Sequence, residues 1–324
     1  MLRIVISIFL SFLALSVFSS NFSLSDKEQD QILEEAENWI DDMPDGLQDR
    51  LSDAVNHAIH GFYSEIEYFR NYVDTANLKN YNVEIKNIEG GKLGDISMRY
   101  YSSTSQTSPL LIYFHGGGWS MGSLETSDNF CKALAAEGKV KIISIDYPLA
   151  PENPYPAAIK HCVEGVEYIF NKAGDLGFDT RHVSLGGDGA GGNLALQVLS
   201  VLPDEIKINS LVLYYPLLKT TGQLDSKSKR QFGRGFGFDS RLWEAFIEAY
   251  KGKDSLSLEN LPETLIISAG RDIIFEEKNL ITSTNPQQVV SVIMEGALHG
   301  FLTDGKQPTA FQKAVELTNL FLSK

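Results

Sequence analysis

Residues 110–145 read LLIYFHGGGWSMGSLETSDNFCKALAAEGKVKIISI. The runs Leu110–Phe114 and Val140–Ile145 are apolar almost throughout rather than alternating, which is typical of parallel strands covered by helices on both faces. Ser127–Ala136, between them, has the composition of a helix. A strand, a helix and a second strand in this order predict a parallel βαβ unit.

The same alternation continues to the end of the chain. Paired short runs between Tyr81 and Tyr101 predict two more strands, joined through Gly90-Gly91. The predicted fold class is therefore α/β, with a mostly parallel central sheet flanked by helices. Further strands are predicted at Val183–Leu185, Ile208–Tyr214, Thr264–Ser268 and Val289–Met294, and further helices at Ala157–Lys172, Asn193–Leu202 and Thr309–Leu322.

Two regions lie outside this alternation. Apolar residues spaced three to four apart over 26–69 predict leading helices, so we expect residues 21–80 to contribute to a cap over the domain formed by 81–324. The long interval 219–261 is interpreted as a cap insertion over the carboxyl edge of the sheet, where open α/β sheets bind ligands. Its aromatic side chains suit either an acyl or aryl pocket wall or ordinary packing, and they are Phe232, Phe236, Phe238, Trp243, Phe246 and Tyr250.

Composition excludes several classes of partner. The chain has 324 residues and a net charge of −14, which repels phosphate backbones and anionic lipid, so we expect no nucleic acid partner.

The two cysteines of the chain, Cys131 and Cys162, form no CxxC metal or redox motif. They fall on predicted helices that cover opposite faces of the sheet, and we expect both thiols to be unpaired. The pattern implies neither a metal nor a cofactor.

The first twenty residues have the shape of a secretory signal. Arg3 is their only charge, and an apolar run from Ile4 to Phe18 ends in small polar residues. This predicts an exported protein, periplasmic or secreted, with no other membrane contact. The alternative is an uncleaved anchor, since the run is only just short of the length that spans a bilayer.

The first chemical signal is the sequence HGGGW at 115–119, directly after the Leu110–Phe114 strand. Consecutive glycines let backbone N–H groups converge on one point without obstruction by Cβ atoms, as an oxyanion hole requires. A phosphate-binding loop is the alternative, but the GK[ST] ending and the GxGxxG spacing are both missing.

Further motifs follow in a characteristic order. DYPLAPE at 146–152 precedes PYPAA at 154–158, GDGAGGN occupies 187–193, and HGF stands at 299–301. With the glycine loop, this series resembles the hormone-sensitive-lipase-like (family IV) esterase group of the α/β-hydrolase superfamily, over roughly residues 80–324. The resemblance implies an α/β-hydrolase fold and action on short- to medium-chain acyl esters, with a small-molecule ester as the ligand.

The resemblance also assigns roles to individual residues. The family's oxyanion donors correspond to the N–H groups of Gly117, Gly118 and Ala190. Asp272 stands where the family keeps the acid of its catalytic triad, and His299 matches the base.

Two other histidines need an explanation. His60 belongs to a second HGF sequence, but it precedes the sheet, whereas this fold places its base after the acid. His57 and His60 are spaced like a pair of metal ligands, yet no third ligand accompanies them, and a solvated helix face is the preferred interpretation.

The chain departs from the family pattern at the nucleophile. Gly189 stands where the pattern has serine, so no hydroxyl is available for a covalent acyl intermediate. Asp188 is the family's own aspartate beside the nucleophile and is interpreted as local structure. Smaller departures are Pro148 for the arginine of DYRLAPE, Ile273 for a proline, and Glu276 for an aspartate.

Three functions are compatible with this sequence. The first is a carboxylic-ester hydrolase whose serine chemistry is impaired by Gly189 and whose residual activity is small. The second is a catalytically silent protein that uses the old pocket to bind a ligand. The third is hydrolysis by a water that His299 and Asp272 activate directly. Because both proton-transfer residues, Asp272 and His299, are retained, the impaired ester hydrolase is favoured. The sequence leaves the oligomeric state open.

Overall fold

The computed structural model describes residues 22–70, 80–92, 95–221, 225–253, 256–303 and 305–323. The predicted signal segment, residues 1–20, lies outside these ranges. Within them, no helix combines the length and apolar character that crossing a bilayer requires. The strands are β1 (Glu84–Gly90), β2 (Ile96–Ser102), β3 (Ser108–Phe114), β4 (Lys141–Ile145), β5 (Phe178–Asp188), β6 (Ser210–Tyr214), β7 (Glu263–Arg271) and β8 (Val289–Leu298).

These strands form one sheet in the order β1-β2-β4-β3-β5-β6-β7-β8. β2 runs antiparallel to both of its neighbours, and the other pairs are parallel. The predicted mostly parallel α/β sheet is confirmed.

The helices are α1 (Asp26–Asp42), α2 (Leu47–Ile59), α3 (Ser64–Arg70), α4 (Leu124–Ala136), α5 (Ala157–Asn171), α6 (Ala173–Leu176), α7 (Ala190–Val201), α8 (Lys227–Phe232), α9 (Ser240–Tyr250), a 3₁₀ turn (Phe275–Glu277), α10 (Lys278–Thr284) and α11 (Pro308–Leu322).

Both faces of the sheet are apolar because helices cover both. Along β3, Ile112 packs into one core cluster and Leu111 and Tyr113 into the other. Cys162 belongs to the first cluster and Cys131 to the second, and both are buried and free. The two unpaired thiols that the sequence predicts are therefore found, and burial raises the pKa of each.

Several element boundaries differ from the sequence prediction, among them those on either side of Gly189. β5 is longer at both ends than the predicted Val183–Leu185 run. Helix α7 begins at Ala190 instead of Asn193. The sequence at 190–192 is Ala-Gly-Gly, which carries no apolar period, and the helix starts there because the chain turns sharply at the end of β5.

The leading helices lie against the sheet and the 219–261 segment. α1 packs against the edge strand β8, and α2 packs against α9. The Gln29 side chain donates to the Ile293 carbonyl at 3.0 Å and accepts from the Glu295 N–H at 2.9 Å, so it pairs backbone groups that an edge strand otherwise leaves open.

Arg70, at the end of α3, connects these helices to the loops above the sheet. Its guanidinium binds both carboxylate oxygens of Glu152, at 2.7 and 2.9 Å, and donates to the carbonyls of Ser120 and Ala150. Pro148 stands where the motif of the family that this sequence resembles has an arginine, and Arg70 supplies a cation to Glu152 of the same motif from elsewhere in the chain.

We expect Arg70→Ala to lower the free energy of unfolding by about 2 kcal/mol, because it leaves a half-buried carboxylate and two carbonyls without their donor. Urea unfolding measures this. The matched control is Arg230→Ala, which breaks an exposed pair with Asp225 and should cost less than about 0.5 kcal/mol. Equal effects of the two substitutions would contradict the prediction.

Candidate active site

The turn after β5 places Gly189 at the carboxyl edge of the sheet. Its backbone has φ +51° and ψ −113°, a conformation that glycine adopts without the strain a Cβ atom brings. Its N–H donates to the Tyr214 carbonyl at 3.0 Å, and its carbonyl accepts from the Leu217 N–H at 3.0 Å. These bonds fix the position of the Gly189 Cα atom between β5 and β6.

His299 and Asp272 form a hydrogen-bonded pair. Asp272 Oδ2 lies 2.7 Å from His299 Nδ1, and Asp272 Oδ1 accepts from the Ile274 N–H at 3.1 Å. The Asp272 side chain is 1% exposed and that of His299 is 16% exposed. A carboxylate on Nδ1 orients the ring and directs its other nitrogen, Nε2, away from Asp272.

The structure brings residues 189, 272 and 299 together. A Cβ atom built on Gly189 would lie 3.3 Å from His299 Nε2, which is the nitrogen that Asp272 leaves available. A hydroxyl on that Cβ would be within hydrogen-bond reach of Nε2. His60, by contrast, is the C-cap residue that follows α2, and His57 pairs with Glu65 at 2.8 Å.

Aromatic rings enclose His299. The Phe238 ring centroid lies 4.4 Å from that of the imidazole, and the Tyr215 ring centroid lies 4.7 Å from it. These contacts limit rotation of the imidazole and reduce its contact with water. Phe238 comes from the 219–261 segment, so that segment contributes directly to the surroundings of His299.

The glycine loop lies beside the turn at Gly189. A Cβ on Gly116 would lie 2.2 Å from the Asp188 carboxylate, and one on Gly118 would lie 2.1 Å from the Phe246 ring. Gly117 and Gly118 have φ of +109° and +60°. Side chains are therefore excluded where the loop meets Asp188 and where it meets α9. Ala190, the first residue of α7, adds a helix N-terminus with its partial positive charge.

Stacked rings anchor the loop on both sides. The His115 ring stacks on Tyr147, whose hydroxyl donates to the His115 carbonyl at 2.7 Å. Burial lowers the pKa of His115 to about 4, so it is neutral at pH 7. At the other end, Trp119 stacks on Tyr250 of α9 at a ring separation of 4.2 Å.

Asp188 is buried under the loop. It accepts hydrogen bonds from the Tyr113 hydroxyl at 2.6 Å and the Tyr215 hydroxyl at 3.4 Å. Burial raises its pKa, and the Tyr113 hydrogen bond opposes this effect. These contacts fit the interpretation of Asp188 as local structure, since its carboxylate fastens the loop and the turn to the sheet.

A cavity of about 1110 Å³ opens onto the glycine loop and onto Asp188, the residue before Gly189. Gly116, Gly117 and Asp188 line one side. Its apolar wall comes from the leading helices rather than from the aromatic residues of the 219–261 segment, of which Phe246 and Tyr250 pack on the glycine loop. The lining residues of α1 to α3 include Trp39, Leu47, Leu51, Tyr68 and Phe69.

The loop after β7 carries two further carboxylates. Glu276 accepts from the Ser228 N–H of α8 at 3.0 Å and so binds this loop to the 219–261 segment. Glu277 is 4% exposed and accepts from the N–H groups of Leu218, at 2.5 Å, and Lys219, at 3.0 Å. Burial raises the pKa of Glu277 from 4.5 to about 8, against the effect of these two donors.

Glu277 should make folding sensitive to pH. Between pH 4.5 and about 8 the unfolded chain ionises this carboxyl and the folded chain does not, so the unfolded state holds fewer protons. The free energy of unfolding should therefore fall with rising pH, by up to about 1.4 kcal/mol per pH unit from this group. Urea unfolding at pH 5, 6, 7 and 8 should show a shallower fall for Glu277→Gln. Parallel curves for the two proteins would refute this.

Comparisons with known proteins agree with this architecture. The family described as alpha/beta hydrolase fold has a sequence model that matches residues 111–303, and the chain belongs to this family. The carboxylic ester hydrolase LipN of Mycobacterium tuberculosis is 32% identical over 208 residues, in a match that covers 58% of this chain and 55% of LipN. The chain thus spans about half the length of this relative.

Solved structures match over most of the chain. A serine-to-alanine variant of LAE6, an alpha/beta hydrolase enzyme from the metagenome of Lake Arreo in Spain, is 25% identical with a TM-score of 0.73. The match covers 90% of this chain and 98% of LAE6. The Pyrobaculum calidifontis esterase is 25% identical with a TM-score of 0.69, over 87% of this chain and 93% of the esterase.

Proposed function

We propose that this chain has the active-site architecture of a carboxylic-ester hydrolase for short- to medium-chain acyl esters. Because residue 189 is glycine, the site lacks the side-chain oxygen that would attack the ester. The observation that carries the proposal is the 3.3 Å between His299 Nε2 and the position of a Cβ on residue 189, with Asp272 on the opposite ring nitrogen. The relatives named as a carboxylic ester hydrolase and an esterase support an ester as the substrate.

Each part of the site has a role in this proposal. The cavity beside Gly117 receives the ester, and the N–H groups of Gly117, Gly118 and Ala190 stabilise the negative charge that develops on its carbonyl oxygen. In a form with a hydroxyl at residue 189, His299 takes the proton of that hydroxyl as it attacks the ester carbonyl and returns the proton to the leaving alcohol. Water then cleaves the acyl-enzyme with His299 again as the base, and Asp272 stabilises the imidazolium formed in each step. With glycine at 189, the attacking side-chain oxygen is the one missing part.

Hydrolysis of p-nitrophenyl acetate and butyrate by the chain and by Gly189→Ser tests the proposal. We expect negligible turnover with glycine and clear turnover with serine. If neither protein hydrolyses either ester, the proposal fails.

Direct activation of water is the second candidate, because Nε2 of His299 lies beside the position that glycine leaves open. Its signature is turnover by the glycine form that His299→Ala abolishes and Gly189→Ser does not raise. The ligand-binding alternative rests on the cavity, and it gains if both forms are inactive while ligands raise the melting temperature.

A further inference from the structure

A buried carboxylate near the His299–Asp272 pair has no part in the proton transfers described above. One oxygen of Glu277 accepts two backbone N–H groups, those of Leu218 and Lys219. The other oxygen, Oε1, is buried and has no hydrogen-bond partner among the described residues. A carboxyl that leaves water costs free energy, and the two N–H bonds compensate only one of its oxygens.

The segment that Glu277 holds also holds the turn. Leu217, next to Leu218, donates its N–H to the Gly189 carbonyl at 3.0 Å. Asn193 of α7 donates its side-chain amide to the Leu218 carbonyl at 3.5 Å. Tyr215, near the start of the same segment, contacts the His299 ring. Residues 215–219 therefore touch both partners of the proposed proton transfer.

We propose that Glu277 is a positioning residue, which sets the distance between residue 189 and His299 through the backbone of residues 217–219. The loop after β7 holds His299 through Asp272 and holds the turn through Glu277, so one loop fixes both partners. A misplacement of about 1 Å can cost about 100-fold in rate. The effect of Glu277 on turnover rests on the proposed function, but its effect on the geometry does not.

The role requires an acceptor oxygen rather than a negative charge. Glu277 faces the negative Asp272 and the positive Lys219, and because its pKa is about 8 it is mostly uncharged at pH 7. Glutamine offers a carbonyl oxygen of the same reach, whereas alanine leaves both N–H groups unsatisfied. Glu277→Gln is therefore the conservative variant and Glu277→Ala the disruptive one.

The test compares these variants in the Gly189→Ser protein at pH 7. We expect Glu277→Ala to lower kcat about 100-fold with KM changed less than about twofold, and Glu277→Gln to stay within about threefold of the parent. The control is Glu276→Ala, which loses the neighbouring carboxylate and its contact with α8 and should leave kcat unchanged. If Glu277→Ala does not fold, Glu277→Asp, which is shorter by one methylene, should show a loss of about tenfold.

A second measurement uses the chain with Gly189 and does not depend on turnover. The NMR signals of the Gly189 amide and the His299 ring should shift in Glu277→Ala. If that variant does not fold, they should shift in Glu277→Asp instead. The same signals should keep their positions in Glu277→Gln and Glu276→Ala. Unmoved signals, or a lowered melting temperature with kcat retained, would overturn the positioning role. If Gly189→Ser is inactive, the proposed function fails while these signals still decide the role of Glu277.

Discussion

Replacing Gly189 by serine is expected to raise kcat/KM for p-nitrophenyl butyrate by about 10⁴-fold or more. The reason is that the other groups are already assembled. His299 Nε2 lies 3.3 Å from the position of the new Cβ, and Asp272 holds the ring from the other side at 2.7 Å. The substitution adds one oxygen to this arrangement, and stopped assays over a range of ester concentrations measure the gain.

Two controls separate the oxygen from the carbon that carries it. Gly189→Ala adds the Cβ alone and should stay at the level of the glycine form. The double variant Gly189→Ser with His299→Ala should lose almost all of the gain, because serine needs a base to take its proton. Equal gains for alanine and serine would mean that the hydroxyl is not the nucleophile.

The same substitution should cost stability. Residue 189 has φ +51°, where a side chain is strained, and the new Cβ makes a close contact with the imidazole. Serine and alanine should both lower the free energy of unfolding by about 1–3 kcal/mol relative to glycine. A gain of activity with a loss of stability is the ordinary relation at a strained catalytic turn.

The sequence predicted those features that depend on short-range patterns. Unbroken apolar runs such as Leu110–Phe114 identify buried parallel strands, because only a strand covered on both faces needs no polar residues. Gly189, Asp272 and His299 stand out because the sequences around them resemble, in the same order, the motifs of the hormone-sensitive-lipase-like esterases. This resemblance is the reason that the residues of the proposed chemistry could be named without coordinates.

Contacts between distant parts of the chain could not be predicted in this way. Arg70 reaches Glu152 from a helix that precedes the whole sheet, and Glu277 holds backbone groups some sixty residues earlier in the chain. Neither residue type nor spacing identifies such a contact, since arginines and glutamates at many exposed positions have the same local sequence pattern. The cavity wall is a similar case, because α1 to α3 supply it and their apolar faces resemble those of any packed helix.

In the Gly189→Ser protein, Asp272→Asn is expected to lower kcat by about 10⁴-fold with little change in KM. Asparagine keeps the shape of the side chain and one acceptor oxygen for the Ile274 N–H, so the loop should remain folded. Its amide group, however, donates to Nδ1 where the carboxylate accepted. The ring proton then moves to Nε2, and this nitrogen can no longer take the proton of the serine.

The pH profile distinguishes this change of tautomer from a general disturbance of the site. Activity that remains in Asp272→Asn should rise at high pH, where hydroxide removes the serine proton without help from His299. The matched control is Glu276→Gln, an amide substitution in the same loop that touches α8 instead of the imidazole and should leave kcat unchanged. A comparable loss in that control would trace the effect to the loop, and an unchanged kcat in Asp272→Asn would remove Asp272 from the proposed proton transfer.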